Sequence, residues 1–270
     1  MSDHRDVKIA GVQGIARLFD LIIDKLRSGL GVSAFNSQSK WLTVVGHYAL
    51  LAAALLIFLY KITAAIKWES PIQLAYALGW ILAIIVGQYI AVKFLPKVYA
   101  MIDARPTEIY TTAYLNVIVI VNLVAVGFVF ISALYWTYRF EAVAPFWTGL
   151  GLVALCFYWA YQSLHPELVN IKITDKAEPG QEALNVLALI LKVGYRAIPV
   201  AYGIGLVVAT LKLLFAVFYF WFGSRYARVH FESGFFLMWV ILLLPFYGFF
   251  IFILGNLVLD TFRAILSRLK

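Results

Sequence analysis

The residue least suited to its surroundings in this sequence is Lys212, which lies in an apolar run from about Ile198 to Phe222. A lysine in the hydrocarbon of a bilayer costs about 2.5–3.5 kcal/mol unless its ammonium is paired or reaches the interface. The predicted spans contain no aspartate or glutamate that could pair with it. We therefore predict that Lys212 either extends its ammonium toward the nearer interface or forms a site for an ion, a lipid or another anion.

Uncharged amides are the other polar groups inside the apolar runs, and they are Gln88, Asn116, Asn122 and Asn256. Such amides more often bond to a neighbouring helix than bind a substrate, and each bond contributes about 0.6 kcal/mol on average. The preferred interpretation is structural. The alternative is an intramembrane polar site made of Lys212, Asn116, Asn122 and Gln88, with movement allowed by Pro245 in the last run.

Two histidines, His47 and His165, are predicted to lie in the cytoplasmic half of the membrane. A bis-histidine haem b needs two facing imidazoles, so this pair is the candidate, although His165 stands before Pro166 at a helix end and is poorly placed for an axial ligand. The sequence has no His-x₃-His, Cys-x₂-Cys or carboxylate cluster, so we expect no metal site.

Catalytic motifs are absent from the sequence, which contains no Gly-x-Ser-x-Gly, Walker A or Gly-x-Gly-x-x-Gly pattern. We therefore expect a protein without enzymatic activity. Ala201, Gly205 and Ala209 are spaced four residues apart and predict a stripe that packs closely against another helix, from this chain or from a partner.

The composition determines the class of protein. The chain has 270 residues, of which 63% are hydrophobic and 13% are charged, whereas soluble domains average about 25% charged residues. Six segments are apolar over the length that a membrane span needs. They are Trp41–Ile66, Pro71–Phe94, Tyr110–Tyr138, Ala142–His165, Ile198–Phe222 and Phe235–Leu259. The sequence therefore predicts an all-α, polytopic bundle of six transmembrane helices.

The positions of the basic residues predict the orientation. Sixteen lysines and arginines fall in the two termini and the second and fourth loops, and five fall on the opposite side. Because basic residues collect in cytoplasmic loops, we expect a bacterial-type inner-membrane protein with both termini in the cytoplasm. The net charge of +8 follows from this arrangement and does not predict binding to nucleic acid.

Outside the spans, several segments have the pattern of helices that lie at the membrane surface. The first of these segments is the cytoplasmic segment 1–40, which precedes the four-span membrane region 41–165. Segment 166–197 combines a polar loop with an internal interfacial helix, and the hairpin 198–259 precedes an amphipathic tail at 260–270. As an alternative, 182–222 forms one long tilted helix. The alternation in residues 169–174 predicts one short extended segment.

Three functions remain open at this stage. The first is a non-catalytic subunit that anchors or scaffolds a membrane complex, with lipids and with protein partners or further copies of the chain around it. The alternative is a channel or transporter for an anion, a lipid or an apolar solute that uses Lys212, Asn116 and Asn122. The second alternative is a haem or other redox protein that uses His47 and His165.

Overall fold

The computed structural model describes residues 21–28, 32–110, 113–141, 143–174, 178–222 and 226–268. Its dominant elements are six long helices, named α1 to α6 in chain order. They are α1 Val32–Lys67, α2 Ile72–Asp103, α3 Ala113–Phe140, α4 Ala144–Leu164, α5 Pro179–Trp221 and α6 Tyr226–Arg268. Two short strands, β1 (Thr107–Ile109) and β2 (Ile171–Ile173), and a 3₁₀ helix at Pro166–Val169 complete the regular elements between them.

Each of α1 to α6 is long and apolar enough to cross a membrane, because about 20 apolar residues span roughly 30 Å of hydrocarbon. The predicted six-span, all-α bundle is thereby confirmed. The chain is an integral, multi-pass membrane protein whose outer helix faces contact lipid. The helices form three hairpins, and we call the end with the α1–α2, α3–α4 and α5–α6 connections the turn end, and the opposite end the loop end.

Helix α5 is the centre of the bundle. In its most apolar window 56% of the residues are buried, against 17% for α3. The main core joins α5 to α1, α2 and α6 through side chains such as Leu206, Leu50, Ile84 and Leu242. Beyond residue 183 the exposed positions of α5 are all apolar. This helix therefore lacks the polar face of an interfacial helix and is enclosed by its neighbours and by lipid.

The α3–α4 hairpin stands beside this core and is held to it mainly through α4 and α5. Gly149 of α4 allows close contact with Ala133 of α3, and a side chain at Gly151 would meet Val208 of α5 at 3.0 Å. Helix α3 therefore presents most of its surface to lipid, and a wedge remains between the α3–α4 and α5–α6 hairpins.

The small-residue stripe of α5 is used within the chain. A side chain at Gly205 would meet Ile241 of α6 at 2.6 Å, and one at Gly234 of α6 would meet the carbonyl oxygen of Ala209 at 3.1 Å. Ala201, at the start of the stripe, is half-buried. The stripe thus lets α5 and α6 approach closely, which is the intramolecular alternative of the prediction.

Residues 182–222 form part of one continuous helix, because α5 runs from Pro179 to Trp221. The boundary predicted near residue 197, between an interfacial helix and a span, does not occur. Pro199 removes one helical hydrogen bond without ending α5, since the surrounding helices hold it. Lys192 and Arg196 also differ from the interfacial prediction, because both are buried. Helix α6 likewise continues through the predicted tail to Arg268.

The buried cations of α5 hold the polar loops at the loop end. The Lys192 ammonium donates to the carbonyl oxygens of Arg105 and Asn170, and the Arg196 guanidinium donates to the carbonyl oxygen of Leu168. These acceptors flank β1 and β2, which pair in parallel from Thr107 with Ile171 to Ile109 with Ile173. The predicted extended segment at 169–174 therefore has a partner strand, which the sequence did not indicate.

Of the predicted N-terminal interfacial helix, the structure describes residues 21–28, which are helical, and the rest up to residue 31 lies outside the described residues. Ile23 is buried among Val119, Ala160 and Leu164. Arg27 Nε donates to the carbonyl oxygen of Leu164 at 3.3 Å. This segment therefore packs on the loop end of the α3–α4 hairpin.

Candidate functional site

The wedge between the α3–α4 and α5–α6 hairpins contains a cavity of about 740 Å³ near the turn end. This volume falls in the range of about 300–1,000 Å³ that is typical of small-molecule sites. Its walls are almost entirely apolar, with Phe128, Val129 and Leu152 among them. The single charged side chain in the described lining is Lys212. The cavity therefore combines a hydrophobic interior with one ammonium group.

Three polar side chains of the cavity lie at a similar depth. Lys212 is nine residues before the end of α5, Ser132 is eight before the end of α3, and Ser233 is seven after the start of α6. At a rise of 1.5 Å per residue, these positions lie roughly 10–14 Å below the turn end. All three residues line the cavity. Together the one ammonium and two hydroxyls form a polar layer, which we call the floor, and Phe128 and Val129 line the cavity farther from the turn end.

The ammonium of Lys212 has no hydrogen-bond or ion-pair partner in the described part of the chain. Only 6% of the residue is exposed, and α6 approaches it so closely that a side chain at Gly234 would meet the Cβ of Lys212 at 2.9 Å. An isolated buried charge is costly because nothing replaces the water it has lost. No acidic side chain among the described residues therefore neutralises this ammonium.

Behind Lys212 lies His230, which is fully buried. Its ring stacks on Tyr219 at 5.1 Å and lies 5.9 Å from the ring of Phe215. Both ring nitrogens lack a hydrogen-bond partner in the described structure, and Lys212 is a charged neighbour. Two groups that can donate hydrogen bonds thus lie together without an acceptor.

The sequence did not single out His230, because residues 223–233 read as a polar connection rather than as the first turns of α6. The available signal was helical spacing, since Tyr226, His230 and Ser233 fall on one face of a helix that begins at Tyr226.

Aromatic side chains form the rim of the cavity. Trp136 and Phe140 stack at 5.1 Å in the last turns of α3, and Tyr226 lies opposite them at the start of α6. Phe128 is 73% exposed on the outer wall. The cavity is therefore open toward the lipid and toward the interface, where tryptophan and tyrosine are favoured.

The predicted amide and histidine residues lie elsewhere. Tyr202 of α5 donates its hydroxyl proton to Gln88 Oε1 at 3.1 Å, and the same hydroxyl lies 3.1 Å from His47 Nδ1. This buried group joins α1, α2 and α5. For Gln88 this is a bond between helices, the structural role that the sequence favoured for the amides.

The two asparagines of α3 are outside the cavity lining that the structure describes. Asn122 donates to the carbonyl oxygen of Ile118 at 2.8 Å within its own helix, and Asn116 is half-buried two turns nearer the loop end. Asn256 donates to the carbonyl oxygen of Phe252 at 2.7 Å. The structure therefore places Lys212 in a cavity without the amides that were predicted to share it.

His165 lies at the loop end, with its Nδ1 at 3.1 Å from Glu167 Oε1 and its ring 4.6 Å from that of Tyr161. His47, by contrast, belongs to the group around Tyr202. The two candidate haem ligands thus have separate neighbours. Among the described residues, no group of three or more His, Cys, Asp or Glu side chains could hold a metal ion.

Comparison of the chain with known protein families, with characterised proteins and with solved structures found no match.

Proposed function

We propose that this protein is a membrane transport component that binds a hydrophobic organic anion, such as a long-chain carboxylate, in the cavity around Lys212. The observation that carries the proposal is the unpaired ammonium at the floor of an apolar cavity. In this role the protein binds and transports a molecule and does not catalyse a chemical reaction.

The charge at the floor favours an anionic ligand. A carboxylate beside Lys212 pairs with its ammonium, and a hydrogen bond to a charged group contributes about 1.5–3 kcal/mol. The hydroxyl of Ser132 can donate a second bond to the same carboxylate.

The walls favour a ligand with an apolar body. Between the floor and the rim the lining is apolar apart from Thr148, whose hydroxyl donates to the carbonyl oxygen of Ala144. Relative to water, burial of an alkyl chain contributes about 0.8 kcal/mol per methylene group, and relative to lipid it contributes mainly through packing. The opening toward the lipid gives such a ligand a path from the bilayer, and under the predicted orientation this path starts in the outer leaflet of a bacterial inner membrane.

Fluorescence quenching tests the proposal, because Trp136 lies on the rim of the cavity. The purified protein in lipid nanodiscs is titrated with bromododecanoate, whose bromine quenches tryptophan, and with the neutral bromododecanol. We expect saturable quenching with the carboxylate and at least tenfold weaker binding of the alcohol. In Lys212→Met the affinity for the carboxylate falls by about 10- to 100-fold, while that for the alcohol is unchanged.

The matched control is Lys93→Met. Lys93 also lies in a membrane helix and near an aromatic ring, at 5.5 Å from the ring of Tyr89, but it does not line the cavity. This variant should bind the carboxylate like the wild type, and Trp136→Phe should lose the part of the quenching that saturates with bromododecanoate. Equal binding of carboxylate and alcohol, or equal affinity in Lys212→Met, would contradict the proposal.

The sequence first favoured the role of an anchoring or scaffolding subunit. One observation behind that role was the small-residue stripe, and the structure gives the stripe another partner. The stripe containing Gly205 and Ala209 packs against α6, so it is not free to receive a helix of a partner. The haem alternative gains no support from the separate neighbours of His47 and His165. The cavity around Lys212 is a more specific feature than the stripe or the two histidines, and we therefore base the proposed function on it.

A further inference from the structure

A second cavity, of about 510 Å³, lies at the turn end on the opposite side of α6. It is enclosed by the last turns of α1, the first turn of α2, the end of α5 and the start of α6. Three basic residues line it, namely Lys61, Lys67 and Arg228, together with one acid, Glu232. The local charge is thus strongly positive, and the cavity lies where the helix ends meet the headgroup region.

The two lysines have no carboxylate partner among the described residues. Lys61 Nζ donates to Gln73 Oε1 at 3.0 Å and lies 5.5 Å from the ring centre of Phe231, and Lys67 Nζ lies 4.9 Å from that of Phe220. An ammonium has three protons to donate, so donors remain on both lysines. The rings hold the ammonium groups in place by cation–π attraction without neutralising them.

Arg228 is the third cation, and its Nε donates to Glu232 Oε1 at 2.6 Å. This pair is exposed on the surface of the first turns of α6, where solvent weakens the attraction between the two charges. The remaining guanidinium donors form a fork that matches two oxygens of a phosphate or carboxylate. Donors from α1 and α6 thus surround the same space.

We propose that this second cavity binds the phosphate group of an anionic molecule at the membrane surface. A phosphate offers enough acceptor oxygens for two ammonium groups and one guanidinium at once, which a carboxylate does not. The stacked pair of Tyr60 and Phe231, 4.0 Å apart, gives the inner wall of the cavity an apolar surface for the body of that molecule. The phosphate comes either from a lipid headgroup or from free phosphate.

This site is separate from the cavity around Lys212. Ala227 and Phe231 face the second cavity, whereas Tyr226, Val229 and Ser233 of the same helix face the first. Helix α6 therefore divides the two sites, and either proposal can fail without the other.

Native mass spectrometry of the gently solubilised protein tests the proposal, with phosphatidylglycerol and inorganic phosphate as separate probes. We expect the double variant Lys61→Gln/Lys67→Gln to weaken binding of phosphatidylglycerol by about tenfold or more. Glu232→Gln should strengthen it by about two- to fivefold, because this change removes a negative charge and releases Arg228. Opposite effects of two substitutions in one cavity cannot come from loss of folding.

Lys93→Gln serves as the matched control, since Lys93 also lies over a ring but outside this cavity. Lys212→Met, with the first cavity altered, should bind phosphatidylglycerol here like the wild type. Displacement of the lipid by inorganic phosphate supports a phosphate site that takes either source, and resistance to it supports a site specific for the lipid headgroup. Equal binding by the double variant and Lys93→Gln, or no binding of either probe, would overturn the proposal.

Discussion

At the scale of the residue, Lys212 is costly to bury, and we propose that it binds the ligand. A buried ammonium without a counter-ion destabilises the ligand-free protein, and proteins retain such groups where binding needs them. If Lys212 were only a packing residue, a methionine of similar length would serve as well. Stability and binding therefore respond to its replacement in opposite directions.

We predict that Lys212→Met raises the free energy of unfolding of the ligand-free protein by about 1–3 kcal/mol, because it removes an unpaired charge from an apolar site. Thermal unfolding in detergent measures this change, with Lys93→Met as the control that should remain within about 0.5 kcal/mol of the wild type. A lower melting temperature for Lys212→Met would mean that its ammonium has a structural partner.

The sequence was sufficient to select Lys212, because one lysine in a long apolar run needs no tertiary information to be noticed. It was not sufficient to select its companions. Asn122 was grouped with it for its residue type, yet it bonds within its own helix. Ser132 and Ser233 reach the floor of the cavity only because α3 and α6 are placed around the same wedge.

At the scale of the element, the close packing of the bundle depends on α5. Close packing against α1 depends on Gly203, where an added Cβ would collide with the carbonyl oxygen of Leu42. Gly194 lies on the same helix, yet an added Cβ there meets no atom within 4 Å. Replacement of Gly203 by alanine therefore tests helix packing, whereas the same replacement at Gly194 tests helix propensity alone.

We predict that Gly203→Ala destabilises the protein by about 1–3 kcal/mol, because α1 must shift away from α5. Gly194→Ala should be neutral or stabilising by up to about 1 kcal/mol, since alanine favours the helix more than glycine does. Thermal unfolding of both variants in one detergent makes the comparison. Equal effects would show that α1 and α5 do not approach closely at Gly203.

The extent of α5 shows what apolar patterns can and cannot predict. Hydropathy located all six spans because burial in lipid needs only length and composition. The same patterns suggested a break near Pro199, whereas the helix continues. Lys192 and Arg196 favoured an interfacial helix, and their true partners are loop carbonyls that are distant in sequence. Strand β1 has only three residues, too few for a periodic signal.

At the scale of the whole molecule, a four-helix core of α1, α2, α5 and α6 carries the α3–α4 hairpin on one side. The cavity occupies the boundary between these two parts, so relative movement of the hairpin changes its opening. Both proposed sites also lie near the turn end, which makes the orientation of that end functionally important.

We predict that the turn end faces away from the cytoplasm. In a Cys156→Ser background, a cysteine replacing the exposed Arg139 should react with a membrane-impermeant maleimide from outside intact cells. A cysteine that replaces the exposed Lys172, at the loop end, should react only after the membrane is permeabilised. The reverse pattern would place the cavities on the cytoplasmic side.

The central claim is that Lys212 holds a hydrophobic anion, and the molecules that copurify with the protein test it most directly. Wild-type protein and Lys212→Met are purified side by side in a mild detergent, and bound small molecules are extracted and quantified by negative-mode mass spectrometry. We predict that one hydrophobic organic anion accompanies the wild type in near one-to-one ratio and is lost from Lys212→Met. Equal amounts of every such anion in the two preparations would contradict the account.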